Sequence, residues 1–427
     1  MEYALKQALD IYIWFCVVIL IIYIPRISYY FCAFIKQKKL FNHKYNKIAV
    51  IIPARDEGAV ITNCLDSLTA QTYNPQNFDI HIVVADETDP TIKIAAAYKQ
   101  TYVTVIHEQT CKGDALDGVL KSILSKSPDK YDAFVIIDAD NLAAPDFLEE
   151  MNNALSSGKQ IICAKKLIKN WKIRSPGSRS FVSNCTALTY TQIDELGNRA
   201  RNLFGMTIIM IGTGMMVRAD VIKDNNGWPY RSLTEDYEMA ADSIVKGWSS
   251  MYYSHAKVYT EESTSAKTAY KRKIRWIKGY TQCQWLYFNK IISKIFSGDI
   301  KRRNLDFLIS PYPAYAFFAG SAVMMIICLI AAGFSLLTNS INLTMILHIA
   351  LFPFSFVYGV LFIFTLITLI ADWRYIKIPF HEKLTVLFFN PIYMLGYFRV
   401  FIAAFFTNFY YFKWEPTERI LYPDKAL

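Results

Sequence analysis

The sequence predicts an α/β domain, a mainly parallel sheet covered by helices, set between membrane-spanning segments. Three observations predict it. Short apolar runs at 48–52, 80–85, 102–106, 133–137 and 161–164 alternate with helix-suited stretches such as 59–69 and 115–125, which is the pattern of βαβ units. Apolar segments long enough to cross a bilayer lie near both ends of the chain. Finally, 53% of the 427 residues are hydrophobic and 15% are aromatic, more than a soluble domain carries.

Taken in order, residues 11–23 are nearly all apolar, and the character resumes at 27–35 after Pro25-Arg26. Together they suffice for one span, with a kink expected at the proline. The stretch has no basic residues ahead of it suited to a signal peptide and no small-residue cleavage site after it, so it reads as an anchor. Arg26, Lys36, Lys38, Lys39, Lys44 and Lys47 follow with no acid among them. The positive-inside rule then puts the N-terminus outside and the following domain in the cytosol. The formal charge of +10 is read first as this orientation signal, not as a nucleic-acid footprint, so the partners expected are a bilayer and an anionic substrate. The eight cysteines show no C-x-x-C pair, which reads as reduced thiols without a zinc site.

The organisation expected is an anchor with its basic flank (1–45), a cytosolic α/β domain (46–300) and a C-terminal membrane region of about three segments (301–427). Those segments are 311–337, 343–370 and 384–406; the last contains Asn390-Pro391 and Arg399, so it reads as broken or interfacial. Between the last two, Asp372-Trp373-Arg374-Tyr375-Ile376-Lys377 is a charged loop suited to the cytosol. Tyr312, Tyr315, Tyr358, Trp373 and Tyr393 lie in or beside these spans, where aromatics more often anchor an interface than line a path.

In doubly wound sheets ligands bind beyond the carboxyl ends of the strands, so the residues ending each apolar run matter most. The first run leads into Pro53-Ala54-Arg55-Asp56-Glu57, the second into Asp86-Glu87-Thr88-Asp89, and the fourth into Asp138-Ala139-Asp140-Asn141. Asp56 and Asp89 alone read as helix caps. Asp138 and Asp140, two residues apart after a fully apolar strand, suit a hard divalent ion shared with substrate phosphates. Lys112-Gly113 at a helix start suits a phosphate or nucleotide. Further on, Thr234-Glu235-Asp236 is an acidic cluster, and 271–279 is a basic run enclosing Trp276. Taken alone, the acids could be first-turn residues favoured by the helix dipole, and the basic run a face on anionic headgroups.

The ordered set Pro53–Glu57, Asp86, Lys112-Gly113, Asp138-Ala139-Asp140, Gly212-Thr213-Gly214, Thr234-Glu235-Asp236, Thr260-Glu261 and Arg275-Trp276 resembles the family-2 glycosyltransferases. More narrowly it is similar to their membrane-embedded branch of cellulose, hyaluronan and poly-N-acetylglucosamine synthases. The likeness covers motifs from Lys47 to Gly279; beyond them it extends to flanking membrane segments and a tail at Lys413-Trp414-Glu415-Pro416-Thr417-Glu418-Arg419.

The resemblance implies a GT-A fold and an inverting transfer from a UDP-sugar with Mg²⁺ or Mn²⁺. Ala54, Glu57 and Asp86 would hold the uridine and Lys112 would face the nucleotide. Asp138 would lie near the ribose or the metal, which Asp140 would coordinate. Gly212, Thr213 and Gly214 would let backbone approach a sugar closely. Asp236, with Glu235 beside it, would be the general base for the acceptor hydroxyl. Arg275 would neutralise the departing diphosphate, and Trp276 would offer the acceptor sugar a flat face.

The chain departs from that branch at Arg272, where relatives carry a Gln associated with processive polymerisation, and it has no match to the cellulose synthase gating loop. Glu87 follows Asp86 where many relatives carry Asp or Asn. His255 reads as a strand residue more readily than as a further metal ligand. The expected activity is therefore sugar transfer to a saccharide at the plasma membrane, building an exopolysaccharide or capsule polymer. The rival is a single transfer to a lipid such as a polyprenyl phosphate or diacylglycerol. A non-catalytic scaffold or transporter is disfavoured by the complete acid set.

Overall fold

The computed structural model describes residues 2–171, 177–298, 300, 304–309, 312–338 and 343–406. In its first part α1 (Glu2–Phe31), β1 (Ile48–Pro53), α2 (Ile61–Thr69), β2 (Phe78–Val84), α3 (Thr91–Ala95), β3 (Thr101–Val105) and α4 (Lys112–Lys126) follow one another. Then come β4 (Ala133–Ile136), β5 (Leu142–Ala143), α5 (Phe147–Leu155), β6 (Ile161–Ile168), α6 (Phe181–Thr191), a π-helical turn (Gln192–Asn198) and α7 (Arg199–Leu203). The domain closes with β7 (Met215–Arg218), α8 (Ala219–Asp224), α9 (Glu235–Lys246), β8 (Ser250–Thr260) and α10 (Ala266–Phe296). The short α11 (Leu305–Ile309) precedes α12 (Tyr312–Thr338), α13 (Leu343–Ala371), α14 (Phe380–Leu395) and α15 (Tyr397–Phe406).

The eight strands form one sheet in the order β3-β2-β1-β4-β7-β6-β8-β5. Neighbours pair in parallel except β7, antiparallel to both β4 and β6, and β5, antiparallel to β8. Six strands therefore run one way and end on one edge. Their side chains alternate between two cores. Ala49 and Ile51 face Leu116, Val119 and Trp228, whereas Ile48, Val50 and Ile52 face Ile61, Leu65 and Phe147. Burial on both faces explains why these strands read as continuous apolar runs. Strand β7 has only four residues directly after a glycine-rich turn, too few to show a period, and sequence reasoning missed it.

Four helical stretches are long and apolar enough to cross a membrane: Tyr3–Ile22, Ala319–Leu337, Ile346–Ala371 and Phe380–Phe406. The first belongs to one helix that continues past position 25 to Phe31. The last is broken at Gly396, between α14 and α15; Asn390 and Pro391 lie inside α14. The tail that follows, with Trp414 and Arg419, lies outside the described residues. The spans pack in series, α1 on α12, α12 on α13 and α13 on α14. Tyr12 and Ser321 share a hydroxyl bond of 2.8 Å between α1 and α12.

Two contacts lock this bundle to the α/β domain. Glu382 at the start of α14 receives Arg179 Nε at 3.0 Å and Asn184 Nδ2 at 2.9 Å. Asp372, in the loop after α13, is buried instead of solvated. Its carboxylate receives Lys165 Nζ from β6 at 2.6 Å, and the same ammonium meets Glu195 of the π-helical turn at 2.6 Å. Of the aromatics in the spans, Tyr358 donates to the Phe388 carbonyl at 2.9 Å, Tyr393 shares a 2.7 Å bond with Thr186, and Trp373 lies under the Lys383 ammonium.

Candidate active site

The carboxyl edge of the sheet collects the motif residues because parallel neighbours finish side by side. Glu57 follows β1, Asp86 follows β2, and Asp138 and Asp140 follow β4, which flank one another in the strand order. The antiparallel β7 begins where β4 ends, Met215 pairing with Ile136. That places Gly212, Thr213 and Gly214 on the same edge. Thr213 Oγ1 accepts from Asp138 N at 3.1 Å and Asn141 Nδ2 at 2.5 Å, tying the two turns together. Gly214 has φ +61°, and a Cβ there would meet Val258 Cγ1 at 2.6 Å; only glycine fits.

On the nucleotide side, Ala54 is buried and its N–H bonds the Val83 carbonyl at 2.8 Å. Glu57 is buried at the entry to α2. Asp86 is exposed, and the Thr88 hydroxyl and amide hold its carboxyl below its ordinary range. Asp89 caps α3 through Thr91 N at 2.8 Å and steadies the Asp56 amide at 2.9 Å, as a capping acid should.

Lys112, the first residue of α4, is the hub. Its ammonium donates to Asp138 Oδ1 and to the Gly212 carbonyl, both at 2.5 Å, and lies 3.7 Å from Glu235 Oε1. Burial works against its charge, but Asp138 and Glu235 outweigh that and hold its pKa above the ordinary value. Gly212 sits where these groups converge: a Cβ there would lie 3.1 Å from Glu235, 3.2 Å from Asp236 and 3.3 Å from Lys112. Burial, with Asp236 adjacent, pushes Glu235 up to about 7, against the pull of Lys112 and Arg275. Asp236 instead accepts from Gly212 N at 2.5 Å and Tyr237 N at 2.8 Å. The two neighbouring carboxylates thus have different partners.

The basic helix meets the acidic turn along one face. Arg275 donates to the Leu233 carbonyl at 2.8 Å, and Gln282 accepts from Leu233 N at 3.2 Å. Between them Gly279 presses on Thr234, where a Cβ would come within 2.6 Å of Oγ1 and 2.9 Å of N. Positions 275, 279 and 282 fall on one side of a helix, so α10 is fitted against the turn that presents Glu235 and Asp236. Trp276 points elsewhere, into a cluster with Tyr190, Leu387 and Tyr393 at the junction with the candidate membrane helices. The structure therefore brings Lys112, Asp138, Gly212, Glu235, Asp236 and Arg275 together and sets Trp276 on an adjoining wall.

The donor set after β4 fits a hard divalent ion. Asp138 and Asp140 are both half-exposed, and buried Asn141 Oδ1 lacks a hydrogen-bond partner. No group of three or more His, Cys, Asp or Glu able to hold a metal occurs among the described residues. An ion there would need oxygens from a bound substrate, as Mg²⁺ commonly does. His255 lies on β8 with its ring nitrogen 3.1 Å from the Gln37 carbonyl, away from those carboxylates in the chain's wiring.

Sequence reasoning missed Lys169, Arg231 and Glu262 at this edge, and named Glu261 and Arg272 without their partners. Lys169, just after β6, reaches the Asp140 carbonyl and lies 3.4 Å from Glu261. Arg231 bonds Asp114 at 2.6 Å and Asp117 at 2.8 Å, fastening the chain ahead of the acidic turn to α4. Glu262, fully buried, pairs with the part-buried Arg272. Only the pairing of β6 with β8, which sets Ile168 opposite Thr260, brings the 169–171 and 261–262 segments together, and no local pattern announces it.

Residues 46–279 match the family described as "Glycosyltransferase like family 2". Among curated proteins, the uncharacterized glycosyltransferase YaiP of Escherichia coli is 25% identical over 60% of this chain and 63% of its own length. The probable glycosyltransferase YdaM of Bacillus subtilis is 21% identical over 64% of each. Glucomannan 4-beta-mannosyltransferase 2 of Arabidopsis thaliana is 23% identical over 66% of this chain and 52% of its own length. The chain thus spans less than two thirds of these relatives. Among solved structures, a mannosyltransferase of Pyrobaculum calidifontis in complex with GDP-Man and Mn²⁺ has a TM-score of 0.49 at 16% identity, covering 79% of this chain and 96% of that one.

Proposed function

Because the chain belongs to family 2 of the glycosyltransferases, we propose that its GT-A domain transfers a sugar, with inversion, from a nucleoside diphosphate donor to a saccharide hydroxyl at the membrane. The convergence of Lys112, Asp138, Glu235 and Asp236 on Gly212 carries this reading. In it Ala54, Glu57 and Asp86 grip the nucleoside, a uridine by resemblance to the synthases. A divalent ion held by Asp138 and Asp140 would neutralise the diphosphate. Asp236 takes the acceptor proton as the hydroxyl oxygen bonds the anomeric carbon. The electron pair of the breaking bond leaves on the diphosphate, whose charge Lys112 and Arg275 face. Repeated rounds would build an exopolysaccharide or capsule polymer, with the domain in the cytosol of a multi-pass plasma-membrane protein.

Purified protein in lipid nanodiscs, given Mg²⁺ or Mn²⁺ and labelled UDP- and GDP-sugars, tests this. The expected result is divalent-dependent release of a nucleoside diphosphate together with a lengthening saccharide. A product carrying one sugar on a lipid would replace the polymer with the lipid acceptor; no release from any donor would end the transferase reading.

The fit of α10 makes a separate prediction. Gly279→Ala forces the helix from Thr234 by most of an ångström, and displacement on that scale costs roughly 10²-fold in rate. Turnover should fall by about that factor in a variant that still folds, and kcat within twofold of wild type would show that the contact does not position the acids.

A further inference from the structure

Arg272 stands one helical turn before Trp276 on α10, its side chain part-buried. Its guanidinium pairs with the fully buried Glu262 and lies 5.0 Å from the Trp276 ring centre. Glu262 is itself fixed. Asn170, also fully buried, accepts from its N–H at 2.8 Å and donates to its carbonyl at 2.9 Å, while bonding the Ser178 carbonyl at 2.6 Å. Tyr190 closes the enclosure, edge-on to the indole with ring centres 6.3 Å apart. Burial raises the Glu262 pKa and the Arg272 charge opposes the rise, so the pair is kept by mutual need. A carboxylate clamped through its own backbone thus carries a guanidinium, and the guanidinium covers one face of the indole.

We propose that Arg272 is a positioning residue which, anchored by the Asn170–Glu262 clamp, sets the plane of Trp276 and so the seat of the acceptor sugar. The proposal rests on the transferase reading for its functional half. A guanidinium suits the task because it can pair at its edge while stacking with its face. A lysine ammonium could pair with Glu262 but has no plane to lay on the ring. With one face covered, Trp276 has only its opposite face and rim to offer a sugar, so any tilt of the indole moves the acceptor relative to Asp236. The donor side is built on β1, β2 and β4, and a lysine at 272 keeps the positive charge that Asp140 faces, so donor handling should hold in that variant.

The test combines Arg272→Lys, Arg272→Gln and the double variant Glu262→Gln/Arg272→Gln, which removes both charges should the single Gln variant fail to fold. Protein labelled with 5-fluorotryptophan reports the Trp276 environment by fluorine NMR, with its signal assigned by Trp276→Phe. Expected in Arg272→Lys are a displaced or broadened Trp276 signal, an acceptor KM raised about tenfold, and donor hydrolysis within twofold of wild type. An unchanged Trp276 signal would overturn the proposal. So would donor hydrolysis that falls in step with transfer, since that marks a general loss of structure. If the wild type transfers nothing, the transferase reading fails, and the fluorine signal still decides whether Arg272 orients the ring.

Discussion

Asp236→Asn should lower transfer by about 10²–10⁴-fold, the range a positioned general base contributes, while leaving donor binding close to wild type. Asp236 is built into the first turn of α9 and held by the Gly212 and Tyr237 amides. Asparagine can satisfy one of those two donors with its oxygen but presents an NH₂ to the other. The loss of one such bond costs on the order of 1 kcal/mol, a small drop in melting temperature beside the loss in rate. Initial rates with saturating donor, alongside calorimetric titration of the donor, separate the two effects. Glu235→Gln is the necessary companion, because Glu235 titrates near 7 and is the competing base. If Asp236→Asn keeps rates within tenfold while Glu235→Gln abolishes them, the roles are exchanged.

Lys112→Met should cost both affinity and stability, and the cost should grow with pH. Without the ammonium, Asp138, Glu235 and Asp236 face one another across Gly212 with no cation between them. Breaking a buried pair by removing one partner typically costs about 3–5 kcal/mol; Lys112 keeps some solvent contact, so the lower end applies. The direction with pH follows from Glu235. Its folded pKa of about 7 already exceeds the unfolded value of 4.5, so the folded state holds a proton the unfolded chain releases. Stability is therefore lost as pH climbs between those values. Removing Lys112 takes away a charge that lowers the Glu235 pKa, extending the loss above neutrality. Melting temperatures of the variant and wild type should lie closer at pH 5 than at pH 8. A gap independent of pH would show that Lys112 does not compensate these acids.

The sheet was legible because parallel strands buried on both faces must be apolar throughout, as 48–52 and 133–137 are. The carboxylates were legible because they end those strands. Helix starts at Lys112 and Glu235 also followed from local chemistry. Hidden from the sequence was everything that depends on register between distant segments. Strand β7 is too short to show a period, though it alone explains why residues 212–214 lie beside Asp138. Trp276 sits in a plainly basic run, and the run alone cannot say which side of α10 faces the C-terminal helices. Arg272 looked like a simple departure from the pattern of the synthases. Its partner Glu262 lies ten residues earlier, and Asn170, which fixes that partner, lies on another strand's exit.

The pairing of Lys165 with Asp372 sets a limit on how this molecule can be taken apart. A fragment cut near residue 300 keeps the whole sheet and every acid at its edge, yet strips from the Lys165 ammonium one of its two carboxylates and the Tyr375 ring over it. It also bares Trp171 and Leu188, which pack on Ile376 and Val386 from the other side of the cut. Such a piece would be neither a soluble catalyst nor a faithful miniature. Bundle and sheet are joined through buried charge as well as apolar packing, so the turn after α13 bears directly on strand β6.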